Sequence, residues 1–206
     1  IGNLKSIFQA LDHLGAAPLL TNSPESILKA DAAVLPGVGA FGDGMRGLHE
    51  RNLLPAINEY VETGRPLLGI CLGMQLMFTG SEEFGIHEGL GILPGNVRAI
   101  PTSGPSGRTN PVPHVGWGEL EAAGSGGDRG WDGTILQDVG PYSSVYFVHS
   151  YSVIDPSPNH LLATCNYNGH QITAVVADGN VVGCQFHPEK SSFIGLQIIR
   201  CFLNGS

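Results

Sequence analysis

The sequence predicts an α/β fold, with a central, mostly parallel sheet flanked by helices and a smaller antiparallel sheet beside it. Three observations carry this. The first part of the chain alternates short apolar runs with helical stretches, from about Gly91 closely spaced strand-like runs take over, and one apolar run enters a glycine-flanked cysteine before a helix.

Taken in order, Leu4, Ile7, Phe8, Leu11 and Leu14 recur at helical spacing, with Asn3 placed to cap the start and Gly15 the end. Strands follow at Pro18 to Thr21, Ala32 to Leu35 and Pro66 to Ile70, with helices near Leu53 to Thr63 and from Leu72. The later strands are Ser144 to Val148, Leu161 to Asn166, Ile172 to Ala177 and Val181 to Phe186, and a helix over Phe193 to Leu203 closes the chain. Two stretches stand outside the rhythm. Pro101 to Pro113 and Ala122 to Gly133 are rich in Gly, Ser and Pro and read as mobile loops or insertions. Without repeats or a long linker, residues 1–206 read as one domain.

Composition narrows the function. Ten Lys and Arg, scattered in a chain of formal net charge −8, argue against binding a phosphate backbone. No apolar run reaches membrane-spanning length, and the start lacks the basic-then-apolar pattern of a signal peptide, which predicts a soluble cytoplasmic protein. Cys71, Cys165, Cys184 and Cys201 lack metal-ligand spacing and disulfide density, so the expectation is reduced thiols, no metal and no cofactor.

The segment Pro66-Leu67-Leu68-Gly69-Ile70-Cys71-Leu72-Gly73-Met74-Gln75 runs a buried strand into Gly-x-Cys-x-Gly and then a helix. That is the pattern of a nucleophile elbow, whose tight turn demands small residues two before and two after the nucleophile. Cys71 then sits at a helix N-terminus, where unpaired N–H groups and the helix dipole favour thiolate, and the Leu72 N–H points where an oxyanion forms. A cysteine in an apolar run is usually a small core residue, and that description suits Cys165, Cys184 and Cys201, which have no such flanking glycines. Val181 to Phe186 leads into His187-Pro188-Glu189. In extended chain alternate residues share a side, so His187 and Glu189 can converge as base and orienter. The strand ending at Pro36-Gly37-Val38-Gly39 opens at the same sheet edge; its N–H groups complete an oxyanion hole, or it is a plain turn.

Together Pro36-Gly37-Val38-Gly39, Cys71-Leu72-Gly73-Met74-Gln75 and His187-Pro188-Glu189-Lys190-Ser191 resemble the class I glutamine amidotransferases. Within that family Gly2-Asn3-Leu4, His114-Val115-Gly116-Trp117 and Tyr146-Phe147-Val148-His149-Ser150-Tyr151 are similar to the glutaminases that serve a cyclase of histidine biosynthesis. The resemblance implies a flavodoxin-like amidotransferase fold and a reaction on L-glutamine: Cys71 attacks the side-chain amide, His187 protonates the ammonia, and water releases glutamate from a γ-glutamyl thioester. It also implies that Val38, Gly39 and Leu72 form the oxyanion hole. Gln75 and Glu83 hold the amino-acid end of the substrate, and the backbone of Ser150 and Tyr151 its carboxylate. The implied partner is a (β/α)8-barrel cyclase subunit, forming a heterodimer through Asn3, Trp117, Tyr146 and Lys190, that uses the ammonia to make imidazole glycerol phosphate. On residue type alone Trp117 is a core residue and Lys190 a solvated charge.

Three departures stand out. The chain starts at Ile1-Gly2-Asn3, so the family's opening strand is expected to be missing, as in a trimmed fragment; Gly118 replaces the family's Asn after Trp; and Pro101 to Pro113 is an insertion before His114. The same triad also suits a guanylate or anthranilate synthase glutaminase, a stand-alone γ-glutamyl hydrolase or cysteine peptidase, or a regulatory subunit with a vestigial site.

Overall fold

The computed structural model describes residues 2–104, 107, 109–123 and 131–205, the side chains of residues 2 and 3 excepted. The first half contains α1 (Gly2–His13), α2 (Pro24–Lys29), β1 (Ala33–Gly37), α3 (Phe41–Glu50), α4 (Leu54–Glu62), β2 (Leu67–Cys71) and α5 (Leu72–Leu76). Next come β3 (Phe78–Ser81), β4 (His87–Glu88), β5 (Leu93–Ala99), β6 (His114–Glu119) and β7 (Glu121–Ala122). The chain continues through β8 (Ser144–His149), β9 (Tyr151–Ile154), β10 (Leu161–Tyr167), β11 (His170–Asp178) and β12 (Val181–Cys184), a 3-10 turn at Pro188–Lys190, and α6 (Ser192–Leu203).

The main sheet has the order β1-β2-β12-β11-β10-β7. Its site-bearing half is parallel, β2 lying between β1 and β12, whereas β12, β11, β10 and β7 pair antiparallel. The sheet is therefore mixed, with its parallel character confined to three strands. A strand buried on both faces needs a continuous apolar run, and every residue of β2 and β12 is buried. One face packs on α1 and α6 through Ile7, Ala10, Ile198, Ile199 and Phe202; the other packs on α3, α4 and α5 through Phe41, Ile57, Tyr60, Met74 and Leu76. A second sheet, β4-β3-β5-β9, is antiparallel apart from the β3–β5 pair, and β6 and β8 form a separate antiparallel ribbon.

Several local expectations change. Helix α1 already includes Asn3, so that residue is not its cap, although Gly15 does end it at φ +84°. Pro18 to Thr21 forms no strand: Leu19 and Leu20 are exposed, and an apolar run has strand structure only where a ladder accepts it. The stretch 101–113 is anchored at several of its described residues. Asn110 is buried, donating to the Pro101 carbonyl at 2.7 Å and accepting from Asn168 at 2.7 Å, while the Tyr167 hydroxyl donates to the Pro111 carbonyl. Most of the second Gly-rich stretch, residues 124–130, lies outside the described residues. Gly118 has a steric reason, since a Cβ there would meet Cys165 Sγ at 2.5 Å and the Phe147 ring at 3.1 Å. An asparagine would not fit that packing.

Candidate active site

Strands β1, β2 and β12 run parallel, so their carboxyl ends open on one edge of the sheet. Cys71 ends β2 and immediately precedes α5, with φ 52° and ψ −111°, a backbone conformation that non-glycine residues rarely adopt. The neighbouring glycines make it possible. A Cβ on Gly69 would meet Met74 Cα at 2.8 Å, and one on Gly73 would strike the carbonyl oxygen of Leu35. The elbow thus requires both glycines on grounds of space. Helix α5 has only five residues, so its macrodipole is weak, and what the turn offers at Cys71 is local N–H groups.

His187 and Glu189 converge, but through a turn rather than extended chain. His187 is extended (φ −99°, ψ 97°), Pro188 then starts a 3-10 turn, and this folds Glu189 Oε1 to 2.8 Å from His187 Nδ1. Both side chains are almost fully buried. The backbone under them is fixed as well: the His187 N–H donates to the Tyr146 carbonyl, and Ser191 Oγ donates to the His187 carbonyl while accepting from the Tyr146 N–H. Burial alone pushes the His187 imidazole down, but hydrogen bonds and charge interactions with Cys71 and Glu189 outweigh it and raise the pKa to about 9. These partners favour the protonated imidazole.

A cavity of about 290 Å³ opens beside this group, lined by Val38, Gly39, Cys71, Leu72, Gln75, Glu83, Pro113, Val148, His149, Ser150, Tyr151 and His187. Every residue expected to hold substrate or an oxyanion lines it. Its volume suits a free amino acid, being at the lower end of ligand pockets, which run from about 300 to 1,000 Å³. Glu83 Oε2 accepts from the Phe41 N–H at 2.6 Å, which fixes that carboxylate at the wall. Gln75 donates to the Tyr151 carbonyl and to Gln185 Oε1, each at 2.9 Å.

Pro113, His149, Gln185 and Ser191 line or support the site without a role expected of them from sequence, although His149 and Ser191 stand inside the motifs. Pro113, at the end of the 101–113 stretch, lines the pocket. The signal for Gln185 was available, because a polar residue inside an apolar strand must be hydrogen-bonded where it is buried.

His149 Nδ1 lies 2.8 Å from the Tyr151 carbonyl, which can only accept, so this nitrogen carries the hydrogen and Nε2 accepts from His114 Nδ1 at 3.2 Å. Burial lowers both pKa values from 6.5 to about 4; for His149 the hydrogen bond to Tyr151 opposes the fall while His114 and His187 add to it. An unfolded chain therefore binds protons between pH 6.5 and 4 that the folded chain refuses. Stability is present above pH 6.5 and is lost as pH falls from there through about 4. Urea unfolding from pH 7 to 4 should show this loss, and His114→Phe should flatten it; equal slopes in the two proteins would remove the explanation.

Of the expected docking residues, Trp117 is 57% exposed, so it is not a core residue. Its ring meets Tyr146 edge-on at 5.9 Å, and Val115 beside it is also exposed. Lys190 is exposed in the 3-10 turn that carries Glu189. The side chain of Asn3 lies outside the described residues.

A cysteine on a glycine-flanked elbow, beside a buried imidazole and carboxylate at the parallel edge of a mixed sheet, has the residues of a thiol amidase. The family model described as glutamine amidotransferase class-I matches residues 1–203, and the chain belongs to that family. Among its relatives, the imidazole glycerol phosphate synthase subunit HisH 1 of Legionella pneumophila (strain Lens) is 48% identical over 98% of this chain and 94% of its own length. The HisH subunit of Thermosynechococcus vestitus is 44% identical over 98% and 92%. A crystal structure of a glutamine amidotransferase shares the fold, with TM-score 0.71 at 19% identity over 97% of this chain and 92% of that one.

Proposed function

We propose that this chain hydrolyses L-glutamine to glutamate and ammonia and passes the ammonia to a (β/α)8-barrel cyclase subunit, which makes imidazole glycerol phosphate in the histidine pathway of the cytoplasm. The observation that carries this is the convergence of Cys71, His187 and Glu189 on a pocket of amino-acid size, in a chain 48% identical to a HisH subunit.

The Cys71 sulfur attacks the side-chain carbonyl carbon of glutamine, forming the C–S bond and placing a negative charge on oxygen. The N–H groups of Leu72 and of Val38 or Gly39 stabilise that charge. Collapse breaks the C–N bond as His187 gives its proton to the departing nitrogen, releasing ammonia and leaving the thioester. Neutral His187 next takes a proton from water, whose oxygen attacks the same carbon, and the sulfur leaves as glutamate forms. Glu189 holds Nδ1, which keeps Nε2 as the nitrogen for this exchange. Gln75, Glu83 and the backbone at Ser150 and Tyr151 bind the amino-acid end.

The cyclase covers the pocket mouth at the exposed face of β6 and β8, where Trp117 and Tyr146 supply apolar area and Lys190 a charge. Enclosure keeps ammonia from being protonated in water. Glutamate release should rise strongly when a cyclase subunit and its nucleotide substrate are added together. Trp117→Ala should weaken cyclase binding about 30-fold, roughly 2 kcal/mol, with the isolated chain's stability within about 0.5 kcal/mol of wild type. Turnover indifferent to the cyclase would point to a stand-alone glutaminase, and stimulation by a different synthase subunit to another amidotransferase of this class.

A further inference from the structure

We infer that Gln185 is a positioning residue for the nucleophile, with its amide N–H holding the Cys71 sulfur and its amide oxygen holding Gln75. The inference rests on Cys71 being the nucleophile.

Gln185 is fully buried just beyond β12, where its backbone N–H extends the ladder by donating to the Ala174 carbonyl at 2.9 Å. Its side chain spans two functional groups, with Nε2 3.7 Å from Cys71 Sγ and Oε1 2.9 Å from Gln75 Nε2. The orientation of this amide follows from its neighbours. The Tyr151 carbonyl only accepts, so the Gln75 atom 2.9 Å from it is the amide nitrogen. That nitrogen is also the Gln75 atom that meets Gln185, so the Gln185 atom facing it is the oxygen. The Gln185 NH2 group is left facing the sulfur.

A donor aimed at sulfur from a site closed to water favours the anionic, attacking form, and it restrains the side chain that must reach the substrate carbon. The same amide keeps Gln75 pointing along the pocket wall. The titratable groups around this sulfur are His187 with Glu189 behind it, and His149 and Glu83 on the wall. Gln185 acts on it without a charge. An apolar residue in its place would remove the donor to Cys71 and leave a buried Gln75 N–H without this acceptor.

The test uses the intact chain and iodoacetamide, which reads the sulfur without glutamine or cyclase. Gln185→Met removes both contacts, and Gln185→Glu keeps an acceptor for Gln75 but removes the donor to sulfur. In each variant the alkylation rate of Cys71 near neutral pH should fall about tenfold, and the pH of half-maximal rate should rise by about one unit, the size of one hydrogen bond to a charged group. A folded variant with wild-type rate and wild-type half-maximal pH overturns the proposal. Should neither variant fold, the Gln185 side-chain amide signals of the 15N-labelled wild-type chain decide it: they should shift with the alkylation profile and be insensitive to that pH range in Cys71→Ala. An insensitive amide in wild type overturns the proposal as well. If Cys71 reacts no faster than the other three cysteines, the nucleophile assignment fails; if it reacts faster and Gln185 has no effect, only this inference fails.

Discussion

Cys71→Ala abolishes glutamine hydrolysis, and His187→Ala lowers kcat by roughly 10⁴- to 10⁶-fold, because members of a nucleophile–base unit act together and losing either removes most of their joint effect. The geometry explains the size of the loss. Cys71 is the one cysteine on the pocket wall; Cys165, Cys184 and Cys201 are buried elsewhere, and burial pushes the first two thiols upward, to about 11 for Cys165. None can substitute. Without His187 the departing nitrogen has no proton donor held at the sulfur, so kcat should fall while KM for glutamine changes little, since Gln75 and Glu83 remain in place. Rapid-quench measurement of glutamate on the assembled complex separates the two. A His187→Ala enzyme within tenfold of wild type would remove the imidazole from the reaction.

Gly73→Ala unfolds the elbow. The added methyl would collide with the Leu35 carbonyl oxygen, part of the β1 backbone, and a sheet strand has little room to yield. The expected cost is about 3 kcal/mol or more, the upper range for overpacking a close-packed core. Gly64→Ala is the control. That residue has φ +74° and nothing within 4 Å of where a Cβ would stand, so it should lose only about 1 to 2 kcal/mol from left-handed backbone strain. Urea midpoints of the two variants check the order, and a Gly73→Ala midpoint equal to wild type would contradict the close approach of α5 to β1.

The parallel half of the fold was legible because β2 and β12 are unbroken apolar runs, buried on both faces. Helix α3 was not, since Gly42, Gly44 and Gly47 conceal its periodicity; Gly44 is there because Leu76 and Leu72 pack against it, where a Cβ would lie 3.2 Å from Leu76. The two-residue strands β4 and β7 carry no pattern at all, being defined only by their ladder partners. At the site, Cys71 announces itself through its glycines and His187 through the nearby carboxylate. His187 and Glu189 meet through a 3-10 turn at Pro188, not through the extended chain that alternation predicts. The contacts of His149 with His114 and of Gln185 with Gln75 form only once distant strands meet, and periodicity carries no information about such pairings.

The most direct test of the account is to trap the thioester. The intact chain, assembled with a cyclase subunit and its nucleotide substrate, is mixed with glutamine, quenched in acid and digested, and the peptide holding Cys71 is weighed. A γ-glutamyl adduct on Cys71 that disappears as glutamate accumulates is the predicted result. Glutamate formed with no adduct on that peptide, and formed equally by Cys71→Ala, would contradict it.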